Sequence, residues 1–256
     1  MASTKGIQAH KVFKLGKAPV RKDARNLQLA SILKAIPRVP REYDFDLTHT
    51  GIPTPMFAND RYGDCVIAGR AHQTLRFERI EQDAVVKVTD AEVVREYKKE
   101  TGGRDTGLVV LDSLKKWRRD GWTAAQHKYR IAAFAQLRVA DHAQVRAAVY
   151  LLTGVGLGLG LPRSAQAQVQ AGKPWDVAGG AAGAKNSWGG HYVYVSGYTA
   201  TGPVCVTWGR KQAMTWRFLD KYCDEAYAIV DDLDAWRKGK PGIDVKKLME
   251  FLERLK

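Results

Sequence analysis

The stretch NDRYGDC, residues 59–65, decides how the rest of the chain is interpreted, because it ends in Cys65, one of three cysteines. Asp64 is a favoured residue type at a helix N-cap, and the following CVIAGRAHQTLRFERIEQ predicts a buried helix. Cys65 would then lie in the first turn, where unpaired N–H groups and the helix dipole stabilise a thiolate. Buried, unreactive cysteines are also common. Cys65 therefore needs a partner base before it counts as a nucleophile.

Length and composition predict a globular protein with a substantial core. The chain has 256 residues, of which 45% are apolar, enough for one large domain or two lobes of one fold. It contains no apolar run of membrane-spanning length and no apolar stretch typical of a signal peptide, so we expect a cytoplasmic protein. Three cysteines without a CxxC spacing predict free thiols, no structural metal and no cofactor.

Helical patterns come first along the chain and strand patterns later, which predicts an α+β fold with segregated halves. Residues 1–44 are expected to form a basic N-terminal arm that wraps the main domain, residues 45–256. Helices are predicted at residues 23–36, 65–82, 91–100, 108–120 and 141–152, with an amphipathic C-terminal helix at 242–256 capped by Asp244. Strands are predicted at residues 129–139, 155–161, 191–198, 201–209 and 213–218, with a glycine-rich loop at 171–190.

The net charge of +14 favours acidic partners. Residues 1–22 contain no Asp or Glu, and their basic side chains are Lys5, Lys11, Lys14, Lys17, Arg21 and Lys22. Such an arm is either a solvated chain end or a segment that binds nucleic acid or an acidic protein. No sequence-specific DNA reading and no membrane partner is expected.

His191 is the best candidate for a base. His72 lies seven residues beyond Cys65 on the same predicted helix, roughly 10 Å away, and cannot reach the sulfur. His191 ends the glycine-rich loop and opens a strand. Pairing that strand with the next through a turn near Thr199 places residue 193 opposite 205 and His191 opposite Thr207, so that Thr207 could orient the imidazole.

Acyl transfer through a thiol also requires donors for the oxyanion of the tetrahedral intermediate. The backbone N–H of Cys65 would be one donor. The side-chain amide of Asn59, six residues upstream, would be the second.

The order of these parts resembles the papain-like cysteine peptidase superfamily and is similar to bacteriocin-leader peptidases. The resemblance rests on an amide six positions before the nucleophile, the pair Asp64-Cys65, a base that follows Gly190 and opens a strand, and a third residue sixteen positions later. It spans about residues 52–230. It implies a papain-like fold, with a helical N-terminal half that buries the nucleophile helix and an antiparallel sheet in the C-terminal half.

The resemblance implies that Cys65 is the nucleophile, His191 the base, Thr207 the residue that orients it and Asn59 an oxyanion donor. Two positions depart from the superfamily. Asn59 stands where Gln is usual, and Thr207 stands where Asn or Asp is usual. A threonine hydroxyl can accept the imidazole hydrogen but brings no charge to stabilise an imidazolium.

The sequence favours an enzyme, a thiol hydrolase of the cysteine peptidase type that acts on peptides or proteins. Transamidation on the same residues is not separated from hydrolysis. The alternative is a catalytically decayed papain-like protein with a structural or binding role, for example in a bacteriophage particle, which would make it virion-associated. In that case the basic arm would bind nucleic acid or an acidic partner.

Overall fold

The computed structural model describes residues 13–33, 38–231, 246–248 and 250. The helices within these residues are α1 (Leu29–Ile32), α2 (Phe45–Thr48), α3 (Cys65–Glu81), α4 (Asp90–Thr101), α5 (Val110–Asp120), α6 (His142–Leu151), α7 (Arg163–Gln170) and α8 (Trp216–Tyr222). The strands are β1 (Tyr43–Asp44), β2 (Trp122–Ala124), β3 (His127–Tyr129), β4 (Ala133–Gln136), β5 (Val155–Leu161), β6 (Gly189–Tyr198), β7 (Pro203–Thr207), β8 (Arg210–Ala213) and β9 (Cys223–Val230).

The main sheet is antiparallel and joins strands that are distant in sequence. Its order is β4-β9-β5-β6-β7-β8, with β1 paired to β6, and β2 and β3 form a separate hairpin. The central strand β5 has the sequence VGLGLGL and is buried along its whole length. Its leucines fill one face, and its glycines allow the other face to be approached closely. The predicted buried strand at 155–161 is therefore confirmed.

Apolar cores lie on both sides of this sheet. One contains the leucines of β5 with α6 and α8, and the other contains α3, α4 and α5. Helix α3 packs across β6, and a Cβ on Gly69 would lie 2.6 Å from Cε1 of Tyr192. A side chain at position 69 would therefore force the helix away from the strand that carries His191.

Local sequence signals explain the helices of the N-terminal half. Thr89 caps α4 in a capping box with Glu92, and Gly102 ends the helix in the left-handed conformation. The Asp141 side chain accepts from the N–H of Gln144 and caps α6. The α+β arrangement, with α3 and its cysteine in the helical part and an antiparallel sheet after it, confirms the predicted fold class.

Several elements differ from the sequence prediction. Residues 213–218, expected as a strand, contain the end of β8 and the start of α8, because the Thr215 side chain caps a helix that buries Phe218, Leu219 and Tyr222. The strand expected at 129–139 is divided between β3 and β4. Helix α7 and strand β9 were not predicted.

The two ends of the chain are only partly described. The helix expected at 23–36 is reduced to α1 within the described residues, and residues 34–36 lie outside them. Most of the predicted C-terminal helix, including Asp244, also lies outside them, although residues 246–248 and 250 are helical. Among the described residues, no helix has the length and apolarity needed to cross a bilayer.

Candidate active site

Cys65 is the first residue of α3, directly after the N-cap Asp64. Its side chain is buried, and its Sγ accepts a hydrogen bond from the backbone N–H of Tyr192 at 3.4 Å. Tyr192 follows His191 in β6. The start of the helix and the start of the strand therefore bring the thiol and the imidazole residue to the same place.

His191 is fully buried and is held by two neighbours. Its Nε2 lies 2.7 Å from Oγ1 of Thr207, and its ring stacks on Trp208 with the ring centroids 4.1 Å apart and the planes at 13°. Its Nδ1 has no hydrogen-bond partner among the described residues. If Thr207 accepts a hydrogen from Nε2, the lone pair of the neutral ring is on Nδ1, where a base needs it.

The register of β6 and β7 is not the one expected from the sequence. Residue 205 pairs with Val195 rather than with residue 193, and the register shifts at a bulge between Val195 and Gly197. The hairpin turn is also displaced along the chain, because Thr199 donates its N–H to the carbonyl of Gly202 and the turn is therefore centred at residues 200–201. The expected register is therefore wrong by two residues, but an even shift keeps side chains on the same face.

Trp208 is a site residue that sequence reasoning did not select. It lies in the two-residue turn between β7 and β8, where Trp208 has φ 46° and Gly209 has φ 69°. Two successive positive φ values are typical of a type I′ hairpin turn, which is unusual for an aromatic residue. This turn lays the indole against His191. The tripeptide Thr207-Trp208-Gly209 was the available signal.

The side-chain amide of Asn59 is already occupied. Its Nδ2 donates to the carbonyl of Tyr62 at 3.1 Å and to Oδ1 of Asp64 at 3.0 Å, which accounts for both hydrogens of the amide. Asn59 is also buried. In this arrangement the Cys65 backbone N–H is the donor available to an oxyanion, and Asn59 would have to give up a partner to join it.

Residues 13–18, here called the strap, lie between the start of α3 and the start of β6. On the helical side, the Lys14 N–H donates to the carbonyl of Asn59 at 3.1 Å. The Leu108 N–H donates to the carbonyl of Gly16 at 2.8 Å, and Ala18 returns a bond to the carbonyl of Leu108 at 2.9 Å. The strap is thereby attached to the helical part of the molecule as if it were a strand.

On the sheet side, the Lys17 N–H donates to the carbonyl of Gly190 at 3.1 Å. The indole N–H of Trp208 donates to the carbonyl of Lys14, and the ring of Phe13 packs on the indole with centroids 4.7 Å apart. The strap therefore contacts Gly190, the residue before His191, and Trp208, on which the His191 ring stacks. Its position covers the reaction centre.

The middle of the strap is packed too tightly for any side chain. A Cβ on Gly16 would lie 1.7 Å from the carbonyl oxygen of Gly63, far inside van der Waals contact. Leu15 packs against Gly189, where a Cβ would lie 2.9 Å from its Cδ1. Glycine at position 16 is therefore a requirement of the closed arrangement.

Burial keeps the two reactive groups neutral. Loss of hydration raises the pKa of the Cys65 thiol to about 12, although backbone N–H groups of Tyr192 and Gly16 act in the opposite direction. Burial alone lowers the pKa of His191 to about 3. Burial also raises the pKa of Asp64 to about 8, against the hydrogen bond from Asn59. At neutral pH the centre contains a thiol and an uncharged imidazole.

The remaining candidate residues are placed as follows. His72 is buried and its ring packs on Phe57, as expected for a structural histidine. Lys17, proposed as part of a surface that binds acidic partners, is not available for that role, because its ammonium group is buried against Asp224 and Glu225. Lys5 and Lys11 lie outside the described residues.

No group of three or more His, Cys, Asp or Glu side chains within the described part of the chain could bind a metal ion. The thiols of Cys205 and Cys223 are also free, and burial raises the pKa of each. Within the described part of the chain, neither thiol is hydrogen-bonded to a histidine; Cys205 donates to the carbonyl of Gln212 and Cys223 to that of Glu225.

A helix that starts with a buried cysteine and packs on an antiparallel sheet carrying a histidine is the papain-like arrangement, and structural comparison supports it. The chain is similar to xylellain, a cysteine protease from Xylella fastidiosa, with 17% identity, a TM-score of 0.67, and 88% of this chain and 99% of that one covered. Procathepsin B S9 from Trypanosoma congolense is 11% identical with a TM-score of 0.61, covering 86% and 87%.

The Carica candamarcensis cysteine protease CMS1MS2, in complex with E-64, is 11% identical with a TM-score of 0.58, and the match covers 76% of this chain and 100% of that one. No protein-family model matches the sequence, and no curated protein matches it either. At these identities the likeness shows the fold. The chain has the papain-like cysteine protease fold.

Proposed function

We propose that this chain is a cysteine peptidase that is latent while the strap occupies its cleft. The observation that carries the proposal is the hydrogen bond from the Tyr192 N–H to Sγ of Cys65, because it joins the residue after His191 to the thiol at the start of α3. The contact between His191 and Thr207 adds the third group of a triad. A cytoplasmic location follows from the composition as part of the same proposal.

The reaction begins with transfer of the Cys65 thiol proton to Nδ1 of His191, while Thr207 accepts the hydrogen on Nε2. The sulfur attacks the carbonyl carbon of a peptide bond, and the Cys65 N–H binds the oxyanion. The imidazolium then protonates the leaving amine, which leaves a thioester on Cys65. Water, deprotonated by His191, attacks the thioester and releases the acid, and the proton returns to the sulfur.

Latency follows from the strap. Substrate must enter the space that residues 13–18 fill, so the strap has to be displaced first. We define an opened variant, Gly16→Leu with Lys17→Glu. The leucine would overlap the Gly63 carbonyl, and the glutamate would face the carboxylates that now bind Lys17.

The matched control is Gly179→Leu with Lys173→Glu. It makes the same two exchanges on an exposed loop, where a Cβ on Gly179 would meet no atom within 4 Å. Any effect that follows from the composition of the substitutions alone should appear in both proteins.

The test is hydrolysis of a mixed fluorogenic peptide library by the opened variant, by the control and by the opened variant with Cys65→Ala or His191→Ala. We expect activity only in the opened variant, with a loss of about 10² to 10⁴ for His191→Ala, the contribution typical of general base catalysis. An opened variant whose Cys65 is exposed to alkylation but which cleaves no peptide would contradict the proposal.

A second candidate is the non-catalytic binding protein. Thr207 and the fully occupied amide of Asn59 favour it, because both weaken the catalytic set. Its basic surface would use Lys14 and Lys22, whose side chains are exposed, and not Lys17. It predicts binding to a nucleic acid that weakens steeply with salt and is unchanged by Cys65→Ala.

A further inference from the structure

Lys17 places its ammonium group in a buried acidic pocket. Its Nζ lies 3.3 Å from Oδ2 of Asp224 and 3.5 Å from Oε1 of Glu225. The side chains of Lys17 and Glu225 are 3% and 1% exposed, and that of Asp224 is 18% exposed. Burial of a lysine to this extent requires paired negative charge, and the pocket supplies it.

The pocket adjoins the reaction centre. The backbone N–H of Lys17 bonds to the carbonyl of Gly190, the residue before His191. The floor of the pocket is Gly158 in β5, where a Cβ would lie 2.4 Å from Cε of Lys17 and 2.7 Å from Cγ of Glu225. The absence of a side chain at position 158 is what allows a long stem to reach the carboxylates.

Departure of the strap removes the cation but leaves the acids in place. Glu225 retains a hydrogen bond from the hydroxyl of Tyr227 to Oε2 at 3.2 Å, but its buried Oε1 accepts no hydrogen bond from any residue that the structure describes. Asp224 retains Lys185, whose Nζ lies 2.6 Å from Oδ1. A buried carboxylate that has lost its cation is unfavourable, so the open pocket favours another cation that can enter on a flexible apolar stem.

We propose that Asp224 and Glu225 form the specificity pocket of this site and select peptide substrates with a lysine side chain at the position that Lys17 occupies in the strap. This proposal rests on the peptidase activity proposed above. The strap segment FKLGKA, residues 13–18, is then a ligand of the cleft supplied by the chain itself. Recognition is by the side chain, so it holds for either direction of the peptide backbone.

The first experiment measures kcat/KM of the opened variant on two fluorogenic peptides that differ only in lysine or norleucine at the selected position. Norleucine keeps the apolar stem and removes the charge. We expect the lysine peptide to be preferred by about 10- to 100-fold, the effect of a charge-assisted hydrogen bond. Glu225→Gln should reduce the preference to less than about threefold, while Glu42→Gln, an exposed acid elsewhere, should leave it unchanged.

The second experiment does not depend on hydrolysis. Labelled FKLGKA and its norleucine analogue at the fifth position are bound to the opened variant and followed by fluorescence anisotropy. We expect the lysine peptide to bind at least about tenfold more tightly, and Asp224→Asn or Glu225→Gln to reduce that difference. Equal binding of the two peptides overturns the pocket proposal, whether or not peptides are cleaved.

The two results separate the two proposals. A lysine preference in binding without cleavage upholds the pocket and contradicts the peptidase. Cleavage without a lysine preference upholds the peptidase and contradicts the pocket. Because the lysine and norleucine peptides are compared on an unaltered pocket, poor folding of a Glu225 variant would not prevent a decision.

Discussion

The strap covers two neighbouring regions of the cleft, the reaction centre and the acidic pocket of Asp224 and Glu225. Its effect on the charged groups differs between them. At the reaction centre the strap excludes water, and the charge of Lys17 opposes the effect of burial only weakly, so that the pKa of Cys65 is raised to about 12 and that of His191 is lowered to about 3. At the acidic pocket it excludes water but supplies an ammonium group. Burial raises the pKa of Glu225, and the charge of Lys17 opposes that rise.

This difference shows how the strap can bind the cleft tightly and also keep Cys65 unreactive. The ion pair of Lys17 with Asp224 and Glu225 anchors the strap, and the adjacent Gly16 brings backbone against the thiol without a side chain. Lys17 therefore anchors the strap, and the neighbouring residue Gly16 keeps the thiol buried. Substitutions in the strap and at the reaction centre should measure these two effects separately.

The largest effect is expected when the strap is opened. Alkylation requires the thiolate, and burial disfavours that form. A return of the Cys65 pKa from about 12 toward its ordinary value near 8.5 would raise the thiolate fraction at neutral pH by about 10³. We expect the opened variant, Gly16→Leu with Lys17→Glu, to be alkylated at Cys65 at least about 100-fold faster than the wild type.

Mass spectrometry of iodoacetamide-treated protein gives the rate for each thiol separately. In the closed wild type Cys223, which is partly exposed, should react before Cys65, and the order should reverse in the opened variant. The rate at Cys65 should also reach half its maximum at a lower pH once the strap is displaced. If the Gly179→Leu/Lys173→Glu control accelerates Cys65 as much, the strap is not the cause.

A smaller effect is expected at Thr207, which positions His191 without contacting the substrate. Thr207→Val removes the acceptor of the Nε2 hydrogen, and we expect the activity of the opened variant to fall about tenfold, as for the loss of one buried hydrogen bond. Thr207→Ser keeps the hydroxyl and should restore it. Thr207→Asn should at least match the opened variant that retains Thr207, since an amide oxygen also accepts the hydrogen.

The readout that distinguishes positioning from folding is the pH profile of kcat/KM. Loss of the hydrogen bond to Nε2 should shift the limb assigned to His191 in Thr207→Val but not in Thr207→Ser. Equal activity and equal profiles in all four proteins would remove Thr207 from the site.

The sequence predicted the fold class and the meeting of His191 with Thr207 for different reasons. Helices α4 and α6 begin at side-chain caps that are local sequence signals, so the sequence could place them directly. Helix α3 begins after Asp64 as predicted, although the Asp64 side chain accepts from Asn59 and does not cap the helix. The contact between His191 and Thr207 survived a register error of two residues only because the error was even. The alternation of apolar and polar residues predicts which side chains share a face of the sheet, but it does not predict which residues pair across two strands.

The strap could not have been predicted in the same way. Its position depends on contacts with residues up to about 200 positions away, such as Trp208 and Asp224, and nothing in its own composition identifies them. The sequence does not distinguish Lys17 from the other basic residues of the arm. Only the structure shows that the missing side chain at Gly158 leaves space for the aliphatic part of Lys17. Helix α8 was missed because Trp216 and Phe218 mimic the alternation of a strand.

The last effect is on stability and not on activity, and it concerns Asp64, a third group that burial keeps neutral at the reaction centre. Its folded pKa is about 8, above the value near 3.9 of an unfolded aspartic acid. Between these values the folded chain holds a proton that the unfolded chain has lost, so stability is greatest below the lower value and falls as pH rises. The slope is at most about 1.4 kcal/mol per pH unit.

Asp64→Asn keeps the oxygen that accepts from Asn59 and removes the titration. Urea unfolding at a series of pH values from about 5 to about 8 should therefore give a flatter stability curve for the variant than for the wild type. The stability of the variant relative to the wild type should grow steadily as pH rises through this window. Asp60→Asn, at a neighbouring exposed carboxylate, is the matched control and should follow the wild type. Parallel curves for Asp64→Asn and the wild type would mean that Asp64 is ionised in the folded protein, and the reaction centre would then differ less from the acidic pocket than its burial implies.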